Sequence, residues 1–225
     1  MQAPDPTDPL AALVIGERPE PTPPTGWARI RVSAASLNHH DIFTLRGVGV
    51  APGDLPMTLG CDAAGIDDDG NRVVAHAVIN APDWSGPSLL DPTMSVLSEK
   101  VQGSFADYVI VPRHNLLPVP DGVSLDEASC LPTAWLTAYH MLFCQAGLTA
   151  GESVLVQGAS GGLAAATVVL AASAGIRVWL TSRDVAAAVH LMDLGATRSS
   201  STALDCPDES MLSSTEWDRR RGRTR

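Results

Sequence analysis

The clearest chemical signal lies between Ser153 and Arg183. Ser153-Val154-Leu155-Val156-Gln157 is an apolar, partly β-branched run of the kind that forms a buried parallel strand. Gly158-Ala159-Ser160-Gly161-Gly162 follows it directly, and an Ala-rich helical stretch then covers 163–174. A glycine-rich turn between a strand and a helix is suited to one task. It lets backbone approach a pyrophosphate, and the helix N-terminus supplies unpaired N–H donors and a favourable dipole. Against the spacing Gly-x-Gly-x-x-Gly the aligned residues are Ala159, Gly161 and Ala164, and alanine is an accepted variant at the last place because it faces the helix–strand contact. Ala159, Ser160, Gly161, Gly162 and Leu163 are therefore the candidate cradle for a dinucleotide. The ribose of such a ligand is read about 20 residues further on, where the sequence has Thr181-Ser182-Arg183. Hydroxyls and a guanidinium suit a 2′-phosphate, so Ser182 and Arg183 point to NADPH. Asp184 keeps NAD open, and the competing reading of Arg183 is a solvated residue at a helix start.

A second group of polar residues, Asn38-His39-His40-Asp41, stands far upstream. Neighbouring side chains on one segment rarely converge on one ion, so no metal site is expected there. The cysteines, Cys61, Cys130, Cys144 and Cys206, are far apart with no Cys-x-x-Cys pair, which fits reduced thiols better than a disulfide framework. Cys61 reads as a small buried hydrophobe rather than a nucleophile.

The elements that must position these residues fall into two kinds. Up to Ser124 the chain is punctuated by Pro and Gly, with short strand-like runs at 28–32, 72–75 and 108–111 and a long loop over 80–100. Ser124-Leu125-Asp126-Glu127 is a capping box that opens a helix, and a second helix starts near Pro132. Leu136, Tyr139, His140 and Phe143 form its apolar face, with Trp135 and Tyr139 assigned to the core. From Glu152 the order is strand, glycine turn, helix, strand (177–181) and a further helix over 184–194, a βαβ unit of parallel-sheet type.

Composition narrows the function. A formal net charge of −10, with no stripe of Lys and Arg, argues against a nucleic-acid partner. The N-terminus has neither a basic start nor an apolar stretch, and the run from Gly161 to Ile176 is short for a membrane span. The expectation is a soluble cytoplasmic protein with a small-molecule ligand and no membrane partner.

Several segments, in order, resemble the zinc-independent, quinone oxidoreductase-like branch of the medium-chain dehydrogenase/reductase superfamily. They are 34–41 (AASLNHHD), 59–65 (LGCDAAG), 103–108 (GSFADY), 131–139 (LPTAWLTAY) and the glycine-rich turn. The resemblance implies an α/β chain, with a GroES-like β-rich domain over 1–124 and the first part of a Rossmann domain, a doubly wound parallel sheet, over 125–196. Zinc-dependent members bind the metal through Cys, His and Cys, and the matching positions are Asn38, Cys61 and Thr133. One thiol with an amide and a hydroxyl is a poor zinc site. The resemblance therefore implies direct hydride transfer from NADPH to a quinone or an α,β-unsaturated carbonyl such as an enal. Asn38 is the candidate donor to the oxygen that gains charge, His39 and His40 are candidates for pyrophosphate contact or proton relay, and Thr137 approaches the nicotinamide ribose. A homodimer is the assembly expected of an intact version. The rival expectation is a catalytically inactive, C-terminally truncated fragment of such an enzyme, and a zinc-dependent alcohol dehydrogenase is disfavoured.

After Ala196 the apolar period stops. Residues 197–225 are rich in Ser and Arg and read as an aberrant, disordered tail. Rereading each codon from the last base of the one before yields a β-branched run typical of the next parallel strand, so an out-of-frame origin is expected for this tail.

Overall fold

The computed structural model describes residues 1–200, in two compact units, Met1–Thr133 and the segment from Ala134 onward. The first unit is built on a five-stranded antiparallel sheet. Its strands are β1 (Trp27–Ala34), β2 (Ala64–Asp67), β3 (Arg72–Ala75), β6 (Tyr108–Pro112) and β7 (Leu116–Pro118), in the order β6-β1-β2-β3-β7. β4 (Val78–Ile79) pairs antiparallel with β5 (Ser95–Val96), so the second strand of this pair lies within the stretch expected to be loop. Alternation sets the core: Ala28 and Ile30 of β1 and Val109 and Val111 of β6 are buried, and Ile30, Val109 and Val111 cluster with Val73, Ala75 and Leu97. The outward Arg29 pairs with Asp68 at 2.9 Å and with Glu20, and lies over the Tyr108 ring.

Helix α1 (His39–Leu45) follows β1. Helix α2 (Leu125–Ser129) opens with the expected capping box: Ser124 Oγ accepts from the Glu127 N–H, and the Glu127 carboxylate accepts from the Ser124 N–H at 2.8 Å. Ala128 packs in one cluster with Ala64, Val74 and Val119, which ties α2 to the sheet of the first unit. The first compact unit therefore runs past Ser124 and includes α2.

The helical segment 131–145 is irregular. π-helical turns at Leu131–Trp135 and His140–Gln145 flank α3 (Leu136–Tyr139). Its buried residues are Ala138 and Leu142, four apart, and this spacing corrects the expected face. Leu136 and Tyr139 are 42% and 50% exposed, and Trp135 is half-buried. Of the expected face, Phe143 packs against the core, with its ring 5.0 Å from that of Tyr139.

The second unit holds three parallel strands, β8 (Ser153–Gln157), β9 (Arg177–Thr181) and β10 (Arg198–Ser200), in the order β10-β9-β8. Helix α4 (Gly162–Ser173) connects β8 to β9, and α5 (Val185–Asp193) connects β9 to β10. Ala164, Val168 and Ala171 of α4 recur at helical spacing and pack with Val156, Val178 and Leu180. Strand β10 is a correction: 198–200 belong to the sheet, with Arg198 over the Trp179 ring, although this segment was expected to lack structure. Polar Ser and Arg hide a strand from a reading based on apolar period. The rest of the expected tail, 201–225 with Cys206, lies outside the described residues.

Candidate functional site

In the first unit, three loops meet on one carboxylate. Asp62 is fully buried, one residue past Cys61 in the turn that leads into β2. Its Oδ2 accepts from Ser36 Oγ at 2.5 Å and Asn38 Nδ2 at 2.9 Å, and its Oδ1 accepts from Thr133 Oγ1 at 2.6 Å. Cys61 Sγ lies 3.4 Å from Thr133 Oγ1 and 3.5 Å from Asn38 Nδ2. Asn38, Cys61 and Thr133, distant in sequence, are thus brought together: Asn38 and Thr133 share Asp62, and the Cys61 thiol touches both. Thr133 sits in the first π-helical turn, a distortion that recurs at functional positions.

Glycines make the approach possible. A Cβ at Gly65 would overlap the Arg31 carbonyl oxygen across the β1–β2 pair, and one at Gly103 would overlap the carbonyls of Leu59 and Gly60. These contacts hold the Cys61–Asp62 turn against its neighbours. A second carboxylate, Asp41, accepts from the N–H groups of Asn38 at 2.7 Å and Gly60 at 3.0 Å, joining the same two loops. Burial pushes the Asp41 carboxyl above its usual range, against the pull of those two N–H bonds. Burial likewise pushes the Cys61 thiol up to about 12, so it is protonated and unreactive at neutral pH.

His39 and His40 open α1 but diverge. His39 is exposed, with its ring 6.4 Å from Phe43. His40 Nε2 is buried without a hydrogen-bond partner, 3.9 Å from the Glu99 carboxylate.

In the second unit, the candidate dinucleotide residues gather at one end of the parallel sheet. Gln157 and Thr181 are register partners, so the turn after β8 and the turn after β9 leave the sheet together at the carboxyl ends of the strands. Gly158 has φ of +85°, a conformation that favours glycine, and no heavy atom lies within 4 Å of where a Cβ would stand at Gly158 or Gly161. Gly161 caps α4 without any side-chain bond to its first turn, which leaves the first N–H groups without a side-chain acceptor. Ser160, Gly161, Gly162 and Leu163 are exposed, whereas Ala159 and Ala164 are buried in the helix–strand contact. Ser182 Oγ accepts from the Asp184 N–H, and the Asp184 carboxylate caps α5 by accepting from the Ala187 N–H at 3.2 Å. Arg183 is exposed and has no described partner. Thr137 is exposed on α3. The open backbone, the uncapped helix start and the free guanidinium fit a dinucleotide.

Comparison with known proteins follows the same division. The alcohol dehydrogenase GroES-like domain matches residues 24–121. A zinc-type alcohol dehydrogenase-like protein of Schizosaccharomyces pombe is 31% identical over 184 residues, covering 76% of this chain and 52% of that protein. Among solved structures, an NAD-dependent alcohol dehydrogenase superposes with a TM-score of 0.80 at 31% identity, over 88% of this chain and 61% of the other. The quinone oxidoreductase of Thermus thermophilus, solved also in complex with NADPH, superposes with a TM-score of 0.63 at 31% identity, over 82% and 54%. The chain belongs to the medium-chain dehydrogenase/reductase superfamily. It spans about half the length of these relatives.

Within that superfamily, the donor set around Asp62 does not fit zinc. Zinc is held by thiolate, imidazole or carboxylate, and here a single thiol meets an amide and a hydroxyl already bonded to Asp62. Among the described residues no three His, Cys, Asp or Glu side chains are placed to share a metal ion. No described helix is long and apolar enough to cross a membrane. Asp62 and Ser36 were not picked out by the sequence reading. The available signal was a lone charge in the apolar run Gly60-Cys61-Asp62-Ala63-Ala64, since a buried charge requires partners.

Proposed function

We propose that this medium-chain dehydrogenase/reductase chain derives from an NADPH-dependent reductase of quinone or enoyl type, acting by direct hydride transfer without zinc. One observation carries the reading: two of the three positions that match zinc ligands, Asn38 and Thr133, are spent on a buried carboxylate, and the third holds a buried thiol in contact with both. When bound, NADPH supplies the hydride. The residues of this chain would hold and orient it: Ala159, Ser160, Gly161, Gly162 and Leu163 with backbone N–H groups on the pyrophosphate, Thr137 at the nicotinamide ribose, and Ser182 and Arg183 at the 2′-phosphate. Asp184 is already committed to capping α5, which favours the phosphate-reading alternative over an acidic contact to a ribose hydroxyl. His39, exposed and without a hydrogen-bonded partner among the described residues, is the candidate to give a proton to the reduced substrate, while His40 is held inside.

The rival reading, a chain of the same ancestry without this activity, makes the opposite prediction. One experiment separates the two. Purified protein is screened for NADPH oxidation with quinones and enals while its metal content is measured. Turnover with less than about one tenth of a zinc per chain supports the zinc-free reductase. Turnover that tracks stoichiometric zinc defeats it, and a folded protein without turnover supports the rival reading.

A further inference from the structure

The two hydrogens of Asn38 Nδ2 are already spoken for. They face Asp62 Oδ2 at 2.9 Å, Ser36 Oγ at 3.3 Å, the Ser36 carbonyl at 3.4 Å and Cys61 Sγ at 3.5 Å. No described residue donates to Asn38 Oδ1, and that atom is not sealed from solvent. A half-turn of the carboxamide would bring Oδ1 against Asp62 Oδ2, two acceptors with no proton between them, and would strip a fully buried carboxylate of one of its three side-chain donors. The orientation of the amide is therefore dictated from inside.

We infer that Asp62 is a positioning residue that locks the Asn38 carboxamide with its N–H edge inward and Oδ1 outward, so that Asn38 offers a ligand an acceptor. This rests on the reading that Asn38 borders the reaction site. It reverses the role expected of Asn38, which becomes a reader of ligand hydroxyl or amide N–H groups and not a donor to a developing oxyanion. Ser36 and Thr133 take part without touching a ligand, by holding Asp62 from both oxygens. The same network takes over the mechanical task of a bound ion, since it ties the segment after β1, the turn before β2 and the first π-helical turn at one point.

The experiment is NMR of the Asn38 side-chain amide in the 225-residue protein, its signals assigned by their loss in Asn38→Ser. The two Nδ2 protons are expected to exchange with water roughly tenfold or more slowly than those of an exposed amide, as charge-assisted bonds require. Asp62→Asn should shift these signals and remove most of that protection, while core methyl signals of Ile30, Val109 and Val111 stay in place. Thr133→Val, which takes a donor from Asp62 without a direct bond to Asn38, should shift the Asn38 amide as well. Should Asp62→Asn fail to fold, Thr133→Val and Ser36→Ala decide. Amide protons that exchange freely in the wild type, or that ignore these variants in folded protein, overturn the inference. The measurement uses no cofactor, so its failure is distinct from a failure to oxidise NADPH, which would count against the proposed function alone.

Discussion

Replacing Arg183 with alanine tests how the cofactor is chosen. In the structure Arg183 is exposed, lies in the turn between β9 and α5 and has no described partner, so its removal breaks no native contact and should leave stability unchanged within about 0.5 kcal/mol. A charge-assisted bond to a 2′-phosphate contributes about 1.5–3 kcal/mol. Because the site is solvent-facing and screened over roughly 10 Å at 0.1 M salt, the lower end applies. About 1.5 kcal/mol corresponds to roughly tenfold in Kd. Titration of NADPH and NADH by cofactor fluorescence, on wild type and Arg183→Ala, should show about tenfold weaker NADPH binding and NADH binding unchanged within about twofold. Raising the salt should shrink the NADPH difference. Equal loss for both cofactors, or a loss insensitive to salt, would refute the reasoning, because neither follows from a single guanidinium–phosphate contact.

Three further outcomes follow from neighbouring features. Asp184→Ala removes the N-cap of α5 and should cost about 0.5–2 kcal/mol in urea unfolding without altering the preference for NADPH. Gly195→Ala should cost about 1–3 kcal/mol or more, since φ there is +117° and the added Cβ would stand 2.7 Å from Ala172 Cβ; a silent substitution would mean that the α5–β10 turn can relax. Cys61 should resist thiol reagents at pH 8 while Cys130 and Cys144, both exposed, react. With its folded pKa raised to about 12, Cys61 keeps its proton where an unfolded chain loses it, so its contribution to stability is full below about pH 8.5 and is lost as pH rises towards 12. Alkaline unfolding should therefore be less steep in Cys61→Ala.

The second unit was the more legible half, because its signals are local. Val154 and Val156 of β8, Gly175 at the end of α4 and the β-branched start of β9 each act within a few residues, and the strand runs 153–157 and 177–181 agree with the observed bounds. Strand β10 escaped because its residues are polar and carry no apolar period: Arg198 finds its partner in the Trp179 ring and not in the core. In the helix over 131–145 the failure was one of phase. A uniform 3.6-residue period assigns Leu136 and Tyr139 to the inside, whereas π-helical turns on both sides of α3 change which residues share a face.

At the candidate site the sequence named residue types that do chemistry, and the structure added the residue that arranges them. Asn38, Cys61 and Thr133 were legible as positions because a resemblance aligned them. Their mutual geometry was not, since it depends on backbone approaches at Gly65 and Gly103 that no spacing reveals. Asp62 contributes no reactive group of its own to a ligand, so a search for acids, bases and metal ligands passes over it. Its effect is indirect: a buried carboxylate demands donors, and meeting that demand fixes which edge of Asn38 is left over. The polarity of the site is thus decided by the energetics of burial one residue away from the group a ligand would meet. For Asn38 the useful question is which of its hydrogen-bonding groups the fold has already consumed.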